Sequence, residues 1–367
     1  MTIAAMILVN DPGTWAAVYW PLDHAEWNGW TPTDLVFPFF LFIVGVSMVL
    51  SFASRLRRGD PRGKLALHVV LRSLAIFATG FFLNLLPHFH FTTVRIPGVL
   101  QRIGVCYLIA GLFVLLTARR ADSGGFTVNV PAVVAALIAV LAGYWLLMRF
   151  VPVPGFGAGN LSMEGNLAAW LDRRLLSGHM WSELHQVRDP EGILSTIPAI
   201  GTALWGALVG EWIRAPRPQS QMLKWLAIAG VAALAVGRAL HPIFPINKNL
   251  WTSTFVLFTS GFAMIVFALC YWLVDVKGWR RWAMPWIAFG TNAITAYVIA
   301  DLLAIASIDF RFQFGAHRTT LHGFIYSHFF ATIAQPYNAS LLFAIFFVLV
   351  CFIPILFLYR RRIFIRL

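Results

Sequence analysis

NDPGTWAAVYWPLDHAEWNGWTPTDLVFPFFLFIVG, residues 10–45, decides how the rest of the chain is read. A polar, aromatic-rich loop gives way at Leu35 to an unbroken apolar run. The loop carries Asp11, Asp23, His24, Glu26, Asn28 and Asp34 beside Trp15, Trp20, Trp27 and Trp30. Indole rings, with one apolar side and one wet edge, collect at membrane–water interfaces. The entry into the run has the residues of a helix start. Thr31 is the expected N-cap and Pro32 the first helical residue. Asp34, three residues after the cap, can answer unpaired N–H groups and the helix dipole. His24 therefore precedes a helix N-terminus at the mouth of a bundle. Its imidazole titrates near neutrality, so it reads either as a hydrogen-bonded interfacial side chain or as a group that moves protons.

Outward from this stretch, the 367 residues are 59% hydrophobic and only 12% charged. That composition belongs to a membrane protein with many spans, and the fold expected is all-α: one polytopic transmembrane helical bundle of about ten spans over residues 1–367. The formal charge of +13 does not point to nucleic acid, because the basic residues are dispersed along the chain. Arg55, Arg57, Arg58, Arg62 and Lys64 share one short loop, and Arg119 and Arg120 another. Arg214, Arg217 and Lys224 follow, then Lys277, Arg280 and Arg281, and finally Arg360, Arg361, Arg362 and Arg366. These 17 of 28 cations fall in every second loop and at the C-terminus. By the positive-inside rule those segments, the C-terminus included, are cytoplasmic. The alternate loops hold most acids, among them Asp23, Glu26, Glu164, Asp172, Asp189 and Glu191, so His24 is expected on the far side. Cys106, Cys270 and Cys351 lie dispersed in apolar runs, with neither metal spacing nor a disulfide framework, and no metal is expected.

The first apolar run, residues 2–9, is shorter than the roughly 20 residues a span needs. It reads as a half-helix or as the end of a first helix truncated at its N-terminus. Spans are expected near residues 35–53, 65–86 and 99–116, then 132–150. A polar outer segment, 151–196, includes a short amphipathic helix at 162–177. Further spans follow it, then 223–240, 250–274, 285–306 and 340–359. An outer stretch, 307–336, carries His317, His322 and His328, and part of it lies along the interface or re-enters. Gln101 and Arg102 stand near the start of an apolar helix, where polar side chains are costly unless they face a cavity or a partner; snorkelling to the interface is the alternative for Arg102. Asn292, inside an apolar helix, should face the bundle interior and hydrogen-bond there. The GFGAG at Gly155 has no strand before it, and His179, Glu183 and His185 are not in HExxH order, so neither a dinucleotide nor a zinc reading holds.

Several blocks resemble heparan-alpha-glucosaminide N-acetyltransferase and its bacterial relatives. They are MILVN ending at Asn10, HAEWNG from His24, TPTDLVFPFFLFIVG from Thr31, RIPGVLQRIG from Arg95, DPEG from Asp189 and PINKNLW from Pro245. The resemblance implies a multi-pass acyltransferase of the bacterial inner membrane, moving an acetyl group from cytosolic acetyl-CoA to an amino sugar or glycan on the outer side. It maps the active-site pair onto His24 and Asn10, and it implies a homodimer. Asp34, Arg102, Gln101, Asp189, Asn247, Lys248, Asn249 and Asn292 are candidates for holding substrate or CoA. DPEG reads equally as a capping turn or as part of the acceptor site. The competing class is a transporter of a small solute or glycan precursor, since polar residues in spans also mark solute paths.

Overall fold

The computed structural model describes residues 1–120, 126–314 and 317–365; Arg366 and the side chains of Arg120 and His317 lie outside the description. As expected, the chain is a helical bundle, with three two-stranded hairpins confined to its loops. Among the described residues eight helices are long and apolar enough to cross a membrane, or nine if a bent pair counts as one. The count of about ten spans expected is therefore eight or nine among the described residues, because the nine-residue α1 (Thr2–Asn10) is too short to cross.

The spans are α2 (Val36–Arg57), α3 (Arg62–Leu85), α4 (Val99–Thr117), α5 (Val130–Phe150), α7 (Ile193–Arg214), α8 (Gln219–Ala239), α9 (Ser253–Tyr271) and α13 (Pro336–Arg360). The bent pair is α10 (Met284–Thr291) and α11 (Ala293–Asp309), which meet at 77°, where the sequence predicts one continuous helix. The break falls on Asn292, whose side chain is committed elsewhere: Nδ2 donates to the Ile363 carbonyl and Oδ1 accepts from the Ile365 N–H. Asn bonds backbone groups better outside a helix than within one. It thereby ties the segment after α13 to the bend.

The bundle closes around α7, which packs on α2, α4, α5 and α9. In lipid, apolar surface gives helices no reason to associate, so close backbone approach between small residues takes over. A Cβ added to Gly45 of α2 would stand 2.0 Å from the Ala203 carbonyl of α7, and one on Gly206 would stand 2.0 Å from the Phe42 carbonyl. Gly206 and Gly210 form a GxxxG pair on that face. α8 and α9 cross in the same manner at Gly230 and Gly261. Large apolar side chains on α3, α5, α8 and α13 remain exposed, which suits faces turned to lipid.

The short helix of the polar segment, α6 (Leu167–Leu175), fixes where α7 begins. Asn166 caps it by accepting from the Ala169 N–H. Asp172, 2% exposed, accepts from the Ile193 N–H at 2.9 Å, and Gly192 packs against its carboxylate. Burial pushes the Asp172 carboxyl up to about 6, with Asp189 adding to the rise. The folded state thus binds this proton more tightly than the unfolded chain, whose carboxyl titrates near 4. Its effect on stability is unfavourable and complete above about pH 6, shrinks as pH falls from about 6 toward 4 and is gone below the unfolded value, with an upper bound of about 3 kcal/mol. The unfolding temperature should drop between pH 5 and pH 7.5, and Asp172→Asn, which keeps an acceptor for Ile193, should flatten the drop. Wild-type and variant profiles running parallel would contradict this assignment.

Candidate active site

Polar segments 11–31, 86–98, 151–192 and 240–252 meet at the end of the bundle where α2 begins, and the stretch after residue 309 joins them where His322 meets the Pro12 carbonyl. The helix start at Thr31 forms as expected, through a 3-10 turn, Pro32–Leu35, that leads into α2. Asp34 Oδ2 accepts from the N–H of Thr31 at 3.0 Å, from its hydroxyl at 3.2 Å, and from the Ala25 N–H at 3.1 Å. The other oxygen, Oδ1, lies 2.7 Å from His24 Nδ1. One carboxylate therefore caps the helix and holds the imidazole.

A carboxylate only accepts, so the short Nδ1 contact puts the imidazole proton on Nδ1 and leaves a lone pair on Nε2. Asp34 is 1% exposed while His24 is 41% exposed; the carboxylate is buried and the imidazole is partly open to solvent. Lys248 completes the group from the far side of the sequence. Its Nζ lies 3.4 Å from Asp34 Oδ1, 3.0 Å from His24 Nδ1 and 3.4 Å from Nε2. Burial draws the Lys248 ammonium below the ordinary lysine range, while Asp34 and Glu191 pull the other way. Asp23 accepts from the His24 backbone N–H. Of the acids near His24, Asp34 alone holds the ring among the described residues.

The loop that carries Lys248 is pinned on both sides. Asn247, fully buried, donates through Nδ2 to Asn28 Oδ1 at 3.3 Å and accepts from the Leu250 N–H at 2.9 Å. The Gly29 N–H donates to the Ile246 carbonyl. Asn249 accepts from Arg188 at 2.7 Å, and the Arg188 guanidinium stacks on Trp27, whose indole N–H donates to the Leu161 carbonyl. Sequence reasoning misses Arg188, and it reads Trp27 only as one of the interfacial indoles of the opening loop. Asn247 and Asn249 hold the loop in place.

Other expected site residues are already committed. Asp189, 3% exposed, receives Arg95 through two hydrogen bonds of 2.8 and 2.6 Å, and Glu191 takes the same guanidinium at 2.5 Å. Burial alone would lower the Arg95 value, but the two carboxylates hold it above the ordinary arginine range. DPEG is thus an ion-paired turn ahead of α7. Arg102, 2% exposed, donates to Ser195 Oγ and to the Gly192 carbonyl and stacks on Trp251. This packing excludes the snorkelling alternative. Its Nε and NH1, and the Nε2 of Gln101, are buried without a hydrogen-bond partner among the described residues. Asn10 lines a cleft of about 50 Å³ with Asp11, Trp15, Ser307 and His322. Burial beside Asp301 pushes the Asp11 carboxyl up to about 8. No hydrogen bond joins Asn10 to His24 among the described residues.

By its spans the molecule is a polytopic membrane protein, and a buried carboxylate, a half-open imidazole and a lysine cluster at one end of the bundle. The chain belongs to the heparan-alpha-glucosaminide N-acetyltransferase family, whose catalytic region matches residues 2–244. It is 32% identical over 341 residues to heparan-alpha-glucosaminide N-acetyltransferase of Homo sapiens, covering 81% of this chain and 51% of that protein. The enzyme of the same name from Mus musculus is 32% identical over 348 residues, covering 83% and 52%. The chain spans about half the length of the curated relatives it matches. Lys248 lies just beyond the matched catalytic region, yet it meets His24 in space.

Proposed function

We propose that the chain is a transmembrane acyltransferase that passes an acetyl group from acetyl-CoA to an amino sugar or glycan, with His24 as the general base. The observation that carries this reading is the His24–Asp34–Lys248 cluster, because it supplies the parts that acyl transfer to an amine requires. The basic loops face the cytoplasm of the bacterial inner membrane, by the positive-inside rule, and the His24 end faces outward. Outside, His24 Nε2 takes a proton from the acceptor nitrogen as that nitrogen attacks the thioester carbonyl. Asp34 keeps the proton on Nδ1 and stabilises the imidazolium that forms. A carbon–nitrogen bond forms and the carbon–sulfur bond breaks. The thiolate departs and takes up a proton, for which the imidazolium is the nearest source.

In this reading the Lys248 ammonium stabilises the oxygen where charge accumulates in the tetrahedral intermediate. Lys248→Met should lower kcat about 10²-fold, the scale of losing one preorganised donor, with a smaller change in KM for acceptor. An unchanged kcat would remove Lys248 from the reaction.

The deciding assay is transfer from radiolabelled acetyl-CoA to glucosamine or a glucosaminide by the purified chain in detergent. Label appearing in the sugar supports the reading. Failure with every amino sugar and glycan tried, together with solute movement across vesicles that leaves the thioester intact, would mark a carrier instead.

A further inference from the structure

The opposite end of α2 holds a second charged feature that the His24 chemistry does not use. At 1.5 Å rise per residue, Arg55 stands about 30 Å along the helix from Asp34. There α2 and α3 flank an open cleft of about 630 Å³ lined by Arg55, Arg58, Asp60, His68 and Arg72, a size in the range of ordinary ligand pockets. Ser51 and Ser54 add hydroxyls to its wall. Asp60 is spent on Arg55, at 3.1 Å, and on Lys64, at 3.4 Å. Arg58 and Arg72 have no carboxylate partner among the described residues, so the cleft carries net positive charge.

Arg72 is the informative member. It lies ten residues into α3, about 15 Å from the basic rim, at a depth where a charged side chain is costly unless it faces water, a partner or a ligand. Its guanidinium stacks on Tyr107 and hydrogen-bonds that side chain, while its Nε is buried with no hydrogen-bond partner among the described residues. A loop basic only because it faces the cytoplasm would keep its cations at the rim. Here one sits deep, with a donor unspent and room before it.

We infer that this cleft is a binding site for a multiply charged phosphate ligand, with Arg58 at the rim and Arg72 at the floor contacting phosphate oxygens. The guanidinium fork suits such oxygens, as does a site with hydroxyl donors alongside. Two ligands share this chemistry: the phosphorylated nucleotide of the acyl donor, which rests on the acyltransferase reading above, and the headgroup of an anionic phospholipid.

The test uses the full chain in phosphatidylcholine nanodiscs. Binding of coenzyme A and of 3′,5′-ADP is measured for wild type, Arg58→Gln, Arg72→Gln and Arg72→Lys, with Arg280→Gln as a control on another basic loop. Arg72→Gln should weaken coenzyme A and 3′,5′-ADP alike by about tenfold or more, the loss of one charged hydrogen bond. Arg72→Lys should lose less, and Arg280→Gln nothing. The same substitutions should raise KM for acetyl-CoA more than they lower kcat. If coenzyme A binding is indifferent to Arg58 and Arg72 but retention of phosphatidylglycerol in mixed nanodiscs depends on them, the phosphate site stands and its ligand is lipid. If neither ligand responds to either substitution in folded protein, the inference is overturned. An absence of acetyl transfer by wild type that still binds coenzyme A through Arg72 would sink the acyltransferase reading and leave the phosphate site intact.

Discussion

His24→Ala should lower acetyl transfer about 10³-fold, within the span that a positioned general base contributes, while leaving the unfolding temperature within a few degrees of wild type. The two halves of this expectation have separate grounds. The imidazole is 41% exposed, so removing it leaves little cavity. Asp34 keeps its bonds to the Thr31 and Ala25 N–H groups and its contact with Lys248. The helix cap therefore survives. What is lost is the Nε2 lone pair, which on the proposed mechanism accepts the substrate proton. Asp34→Asn should retain more activity than His24→Ala but far less than wild type, since an amide can present its nitrogen to Nδ1 and reverse the tautomer. Steady-state kinetics on both variants, with unfolding temperature as a control, decide the matter. Wild-type kcat in His24→Ala would mean that the imidazole is an interfacial side chain only, the other reading its sequence position allows.

What is legible in the sequence is local or periodic. Long apolar runs mark the spans, and Thr31, Pro32 and Asp34 mark the start of α2 because a cap is written within four residues. The pairing of Asp34 with His24 is harder to see. From sequence Asp34 reads as the acid of the N-cap, as a candidate substrate or CoA contact, and as one of three acids, with Asp23 and Glu26, able to orient the imidazole; its buried carboxylate 2.7 Å from Nδ1 fits the last of these. Lys248 stands out as a cation ahead of an apolar helix, but only the packing of the 240–252 loop on the 11–31 loop brings it to His24. The break at Asn292 depends on the chain after α13 lying beside it, a contact that no window of α10 and α11 contains. Arg72 is invisible to the same reasoning because one arginine in an apolar run does not disturb the pattern of a span; its meaning lies in the cleft beside it.

Breaking the Arg95 ion pair should cost more stability than removing the side chain of His24, Lys248 or Arg72. Asp189 and Glu191 have side chains 0% and 9% exposed, and the guanidinium between them also stacks on Trp181. Arg95→Ala would leave two neighbouring buried carboxylates without their cation. Removing one partner of a buried pair costs about 3–5 kcal/mol, enough to lower the unfolding temperature by several degrees or prevent folding. If the cost comes from the uncompensated charge, Arg95→Gln with Asp189→Asn should be more stable than the two single losses added together, a coupling that thermal unfolding of the four proteins in detergent would measure. Strict additivity would place the cost in lost packing on Trp181 instead. The pair also bears on chemistry at a distance. It anchors the segment that carries Arg188, which through Asn249 and Trp27 braces both loops of the His24 site. The double variant, even where it folds, should therefore lose activity, because the Lys248 loop is no longer held against His24 from that side.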